Sequence, residues 1–132
     1  MRFLCEIFEV EQIVQSFENY ALGATKTNEV IFWQIDINGK VRTGQIMQYN
    51  PTTGKRIHNE GGAIDWVHNK LKRVGMLPHD FNLQQCFFGE HLLTMNPTAT
   101  VAIVESCKSA IIASVIMPNF VWLSAGNLNG LS

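Results

Sequence analysis

Charge is scarce in this chain, and acidic charge runs out before its end. Only 16% of the 132 residues are Asp, Glu, Lys or Arg, and ten cations against eleven anions leave a formal net charge of −1. That balance excludes a strongly basic nucleic-acid binder but leaves room for a local basic face, because potential depends on where charges sit. Cysteine is sparse too: Cys5, Cys86 and Cys107 are widely spaced, odd in number and form no CxxC pair. The pattern excludes a disulfide framework and a zinc ribbon, and it predicts reduced thiols in a cytoplasmic protein. No apolar run approaches the roughly 18 residues of a membrane-spanning helix. The opening segment, Met1 to Val10, carries one basic residue and is soon interrupted by acids, so it makes a poor signal peptide. We therefore expect a soluble protein with no membrane partner. Gly126 and Gly130 precede no Gly-Lys-Ser/Thr, which excludes a phosphate loop. No aspartate follows Asp80, and no acidic residue of either kind follows Glu105.

What is present is apolar residue, at 46% of the chain, enough for one sizeable core. Residues 9–21 carry a helical stripe of Ile13, Val14, Phe17 and Tyr20, with Gly23 as its expected stop. Phe3, Leu4, Ile7 and Phe8 suggest a shorter helix before it. Val30 to Tyr49 reads as a β-hairpin around Asn38-Gly39, a pair that tolerates the positive φ angles of a tight turn. A second turn at 50–54 leads into a short strand through Lys55-Arg56-Ile57. After Gly61-Gly62 a helix is expected from about Ala63 to Val74, with Ile64, Val67, Leu71 and Val74 buried and Gly75 as its cap. Residues 78–89 read as an irregular connection with Cys86, Phe87 and Phe88 turned inward, and 95–99 as a linker.

The segment Val101-Ala-Ile-Val-Glu105-Ser-Cys-Lys-Ser-Ala-Ile-Ile-Ala-Ser-Val115 is the most informative stretch. It reads as a buried strand, 101–104, that delivers Glu105 to its C-terminal tip, where a helix over 107–115 begins. A second strand, 120–123, completes a βαβ unit. Strand tips of this kind are where open α/β sheets place their sites. Residues 124–132 read as a loop.

These residues resemble the first motif of the Toprim domain, found in bacterial primases, topoisomerases and related nucleases. Val-Ala-Ile-Val-Glu105, followed by Lys108, Ala110 and a helix, carries the likeness, with Ser106 where glycine is common. The hairpin Val30 to Tyr49 is similar to the one preceding Toprim in primase cores. Phe88-Gly89-Glu90-His91-Leu92 resembles the helix start just before the Toprim strand. The combination is closest to primase-like proteins of bacterial mobile elements and covers the N-terminal part of the primase core plus the first Toprim motif. The family's zinc ribbon has no counterpart in these residues, and the sequence reaches Ser132 before any later Asp-x-Asp, so it looks like the front part of a catalytic domain.

The resemblance implies a function in mobile-element DNA replication, by nucleotidyl transfer in the parent family, and Glu105 as the catalytic carboxylate. It implies Mg2+ for the intact family; with Glu105 alone, no tight metal binding is expected here, and no cofactor. It implies single-stranded DNA or another nucleic acid as partner, contacted by Lys40, Arg42, Lys55, Arg56 and Lys108. Each of these has a plainer alternative. Glu105 is also a suitable first-turn glutamate for a helix N-terminus, and the hairpin cations also suit a solvated sheet face that resists aggregation. Lys70, Lys72 and Arg73 fit the negative end of a helix. Cys107 lies near a helix N-terminus, which lowers a thiol pKa, and a pairing with His91 is conceivable; buried, inert cysteine is the plainer reading. The four histidines lack ligand spacing. Trp33 and Trp122 suit the core, and Trp33 suits base stacking if its strand face is open.

The expected fold is thus α+β: a small antiparallel sheet with flanking helices over residues 1–95, then an incomplete Toprim-like βαβ unit over 96–132. The expected function is a primase-like nucleic-acid protein, inactive alone because Asp-x-Asp is missing. The alternative is a non-catalytic interaction module that self-associates, as a homodimer, through an exposed sheet edge.

Overall fold

In the computed structural model, residues 9–53, 55–57, 65–78, 80–81 and 83–126 are described, without the side chain of Arg56. The fold is α+β: among the described residues it comprises an antiparallel sheet built on a hairpin, a separate parallel pair of strands, and three α-helices. The expected segment over Phe3 to Phe8, the Gly61-Gly62 break and the tail beyond Gly126 lie outside the described residues.

Helix α1 spans Val10–Tyr20 and buries Ile13, Ser16 and Tyr20. The inward stripe thus takes the small hydroxyl of Ser16 in place of Val14, which is 47% exposed. The helix stops before Gly23. Ala21 adopts the left-handed conformation (φ 53°), its N–H donates to the Glu18 carbonyl, and that of Leu22 donates to Phe17. This is a glycine-type helix ending made by an alanine. Gly23 instead begins a short strand, β1 (Gly23–Ala24), paired antiparallel with β2 (Val30–Ile35).

Strand β2 and strand β3 (Val41–Tyr49) form the expected hairpin, with Val30 opposite Met47 and Phe32 opposite Gln45. The connection is longer than a two-residue Asn-Gly turn. The Asp36 N–H donates to the Lys40 carbonyl, the Gly39 N–H donates to Asp36, and only Gly39 takes a positive φ (81°). A one-residue irregularity in register between Gln34 and Ile35 accompanies it. On one face, Val30, Phe32, Gln34, Thr43, Gln45 and Met47 alternate toward the interior. On the other, the Trp33 ring lies across Gly23 and Gly44: a Cβ on either would fall 2.6 and 2.9 Å from ring atoms. Neither position accepts a side chain unless that ring moves, so Trp33 is a packed residue of the outer face.

Strand β4 (Arg56–Ile57) pairs with the end of β3, as the sequence implies. Asp65–Trp66 form strand β5 against β3, so the helix expected from Ala63 is shorter: α2 spans Val67–Arg73. It fully buries no residue; Val67 and Leu71 are half-buried and Val74 lies exposed beyond its end. Ile64 is outside the described residues. Gly75 follows the helix at φ 78°.

The irregular 83–89 segment ends at Phe88, which is 1% exposed. A 3₁₀ turn follows over Glu90–Leu93, entered through Gly89 at φ 87°, where a Cβ would meet the Tyr20 ring at 2.8 Å and the Trp122 carbonyl at 2.9 Å. Then come β6 (Thr100–Val104), α3 (Cys107–Ile116) and β7 (Phe120–Ser124), with β6 and β7 parallel in the register Thr100↔Phe120 to Val104↔Ser124. This is the expected βαβ unit, except that its first strand is not buried: Val101 and Ile103 are exposed, because β6 pairs only with β7 among the described residues.

A single core cluster joins the two sheets. Phe88 stacks on Tyr20 (centroids 4.8 Å apart) and meets Phe32 edge-on at 5.5 Å, while Ala110, Ile111, Val121 and Leu123 close the cluster from the βαβ side. The main chain of Phe88 exchanges hydrogen bonds with Ser124, at 2.9 and 3.1 Å. Among the described residues, no helix is long and apolar enough to cross a membrane.

Candidate functional site

The sheet edge at the C-terminal ends of β6 and β7 is organised by buried polar groups. Ser124 is 1% exposed. Its hydroxyl donates to the Glu105 carbonyl (2.9 Å) and accepts from the Gly126 N–H (3.0 Å). The Ala125 N–H donates to the Val104 carbonyl. Gln45, equally buried on β3, accepts from the Cys107 thiol (3.4 Å) and donates through its amide nitrogen to the Gly126 carbonyl (3.3 Å). The hairpin is thus tied by one amide to both the helix start and the strand end. Such groups are costly to bury without partners, and here the geometry supplies them.

Ser106 opens α3 as its N-cap, accepting from the Ser109 N–H at 3.1 Å. The serine that departs from the glycine of the Toprim motif therefore has a structural role, since it satisfies an N–H that a helix start leaves unpaired. Glu105 sits immediately before this cap. Its main chain is fixed by Ser124, and its side chain is exposed, with no hydrogen bond or ion pair among the described residues.

Lys108, in the first turn of α3, is half-buried. Its ammonium lies 5.0 Å from the centre of the Tyr49 ring, and desolvation lowers its pKa. Tyr49 is also the register partner of Arg56. Lys55 is exposed next to that pair, its carbonyl accepting from the Asn50 N–H. Lys108, Lys55 and the Arg56 main chain therefore gather at one end of β3.

Lys40 and Arg42 belong to the other end. Seven residues of strand, roughly 23 Å, separate Arg42 from Tyr49, so the hairpin cations do not form one continuous face. Arg42 is moreover committed: its Nε lies 2.9 Å from Asp36 Oδ2. Asp36 Oδ1 accepts from the N–H groups of Lys40 and Asn38. The Lys40 N–H is the leading cause that holds this carboxyl below its usual range; the Asn38 N–H and Arg42 add to it, against a smaller opposing effect of desolvation. Lys40 is exposed in the turn.

Neither thiol among the described residues, Cys86 or Cys107, is favoured as a thiolate. Burial pushes Cys107 up to about 12, overriding any help from the helix start. Cys86, at a cleft of about 250 Å³ lined by Gln34, Phe87, Glu90 and Ala125, is also pushed up to about 12, by burial first and then by the Glu90 carboxylate. His91 is held by a 2.8 Å contact between Nε2 and the Asn19 carbonyl, and His68 by Thr43 Oγ1 at 2.7 Å. His58 and His79 lie outside the described residues.

Magnesium is the ion the Toprim resemblance implies, and the described residues do not fit it. Among them, no group of three or more His, Cys, Asp or Glu is placed to hold a metal ion. A hard, strongly hydrated cation needs more oxygen ligands than Glu105 supplies. The residues that sequence reasoning missed are Gln45 and Ser124. An interior glutamine in a strand and a serine at a strand end carry no local signature; only the tertiary pairing reveals their part.

A family model described as Domain of unknown function (DUF6371) matches residues 1–132, and the chain belongs to that family. No curated protein and no solved structure matches it significantly.

Proposed function

We propose that this member of the family is a primase-like nucleic-acid protein of the Toprim type, acting in the DNA replication of a mobile element. The observation that supports the reading most is Glu105: an exposed carboxylate, unpaired among the described residues, at the tip of a parallel strand whose main chain is locked by Ser124. A carboxylate serving only the helix dipole needs no such anchoring of its main chain. Lys108 and Lys55, with the Tyr49 ring between helix and sheet, offer phosphate contacts at that end of β3. Contacts of this type give affinity without sequence reading.

The same reading gives the 132 residues no catalysis of their own. Among the described residues Glu105 belongs to no group that could hold an ion. A lone carboxylate can accept or donate a proton, but phosphoryl transfer of this type also needs a bound cation, and no group among the described residues could hold one.

A salt titration tests the binding and a primer-synthesis assay the inactivity. A labelled single-stranded oligonucleotide should bind with an affinity that falls steeply as salt rises. Lys55→Ala and Lys108→Ala should each shallow the log–log slope by about one. Arg42→Ala should leave the slope unchanged, since Asp36 already neutralises Arg42. Flat, negligible binding would overturn the nucleic-acid reading. Primer synthesis on a single-stranded template with magnesium, by the purified chain, would overturn its inactivity.

A second reading, self-association, is favoured by β6. On its outer side this strand pairs with no strand among the described residues, and Val101 and Ile103 are 44% and 45% exposed. Edges of this kind recruit other strands. Sedimentation velocity should then show a dimer that Ile103→Lys dissociates; a monomer at all concentrations would remove this reading.

A further inference from the structure

A second cleft, remote from the Glu105 edge, lies at the opposite end of β7. It encloses about 360 Å³ between α1, the 3₁₀ turn and the α3–β7 connection. Its distinguishing property is chemical: none of its lining residues is Asp, Glu, Lys, Arg or His. Its lining includes four primary amides (Gln12, Gln15, Asn19 and Asn96), three aromatic residues (Tyr20, Phe120 and Trp122) and aliphatic side chains between them.

The wall is built and fixed. Ser16 Oγ and Ser114 Oγ are 2.7 Å apart and join α1 to α3, and the Ser114 hydroxyl reaches the Ile111 carbonyl. The buried Tyr20 hydroxyl donates to the Trp122 carbonyl at 2.6 Å. The Trp122 ring is oriented by its own Nε1–H, which donates to the Met117 carbonyl (2.9 Å), and it packs against Phe120 with centroids 5.6 Å apart. Two of the amides are occupied with each other, Gln15 donating to Asn19. The side chains of Gln12 and Asn96 make no hydrogen bond among the described residues and stand at the exposed margin.

We propose that this cleft binds a nucleobase. Absence of charge disfavours a phosphate, a carboxylate or an ammonium group inside it, since each would lose hydration without a countercharge. The aromatic rings favour a flat partner, as base–aromatic stacking does in single-strand binding proteins. Each free amide presents a donor and an acceptor side by side, the pattern that matches a base edge. The volume is at the small end of the range for ligand pockets and is ample for one base. The proposal deepens the nucleic-acid reading and rests on it for choosing a base over other neutral rings.

Four nucleosides titrated separately into the full 15N-labelled chain, followed by NMR, test the assignment. At least one nucleoside should shift the side-chain signals of Gln12, Asn96 and the Trp122 indole in a saturable way. Its 5′-monophosphate should bind there no more tightly. The double variant Gln12→Ala/Asn96→Ala should weaken the nucleoside by about tenfold, as two lost hydrogen bonds imply, with the melting temperature unchanged. Absence of saturable shifts with all four nucleosides would overturn the proposal, as would saturable shifts with a neutral monosaccharide only. Oligonucleotide binding at Lys55 and Lys108 is read separately, by its salt slope, so either site can fail without the other.

Discussion

The hairpin and the βαβ unit treat their polar groups in opposite ways. In the hairpin the ionic groups of the turn are satisfied locally: Asp36 takes the Lys40 and Asn38 N–H groups and the Arg42 guanidinium. In the βαβ unit the polar groups below the surface are satisfied, through Ser124 and Ser106, while the one carboxylate above them is left open to solvent. A paired charge shapes a turn, whereas an unpaired one on a fixed main chain remains available to a ligand. The Glu105 edge is therefore the one left open to solvent, and the Asp36 turn is committed to structure.

The seam between the two regions is where substitution should cost most. Phe88→Ala removes the ring that stacks on Tyr20 and meets Phe32, so it should destabilise by about 3–5 kcal/mol. Urea unfolding followed by circular dichroism would measure this. A loss below about 1 kcal/mol would mean that the two regions do not depend on a shared core. Next in size is Gln45→Ala, which strips the partner from the Gly126 carbonyl and the Cys107 thiol; a cost of about 1–3 kcal/mol is expected. It should also weaken hydrogen-exchange protection at the end of β7 more than in β2.

Asp36→Asn acts on the hairpin alone, and its effect depends on pH. The folded carboxyl titrates below its unfolded value, so its stabilisation is complete above the ordinary carboxylate range near 4 and is lost as pH falls through the folded value. The wild-type chain should therefore lose stability below about pH 4 more steeply than Asp36→Asn. Parallel acid limbs in the two proteins would show that the turn carboxylate is not responsible.

Much of this arrangement was legible in the residues. The Asn38-Gly39 pair between β-branched and aromatic residues located β2 and β3, and the apolar run ending in Glu105 located the βαβ unit with its parallel strands. The errors share one origin, since each depends on a partner distant in sequence. Val14 fits a helical stripe as well as Ser16 does, but only Ser16 meets Ser114 across 98 residues. Gly23 reads as a helix stop, whereas its lack of a side chain serves the Trp33 ring. Asp65–Trp66 joined β3 and not the helix, because strand pairing took the residues that local propensity assigned to α2. The basic residues of the hairpin read as one group, but β3 carries Arg42 and Tyr49 near its opposite ends. Glu105 was visible as a residue; the Ser124 and Gln45 pairings beneath it were not.

The most direct test of the central claim compares wild type with Glu105→Gln by fluorescence anisotropy of a single-stranded oligonucleotide, at low salt and with EDTA present. If phosphates pass the open carboxylate, removing its charge should tighten binding about fivefold, matching a repulsion of about 1 kcal/mol at 4 Å in water, with folding stability changed by less than about 0.5 kcal/mol. Identical affinities for the two proteins would contradict the claim that this edge faces nucleic acid.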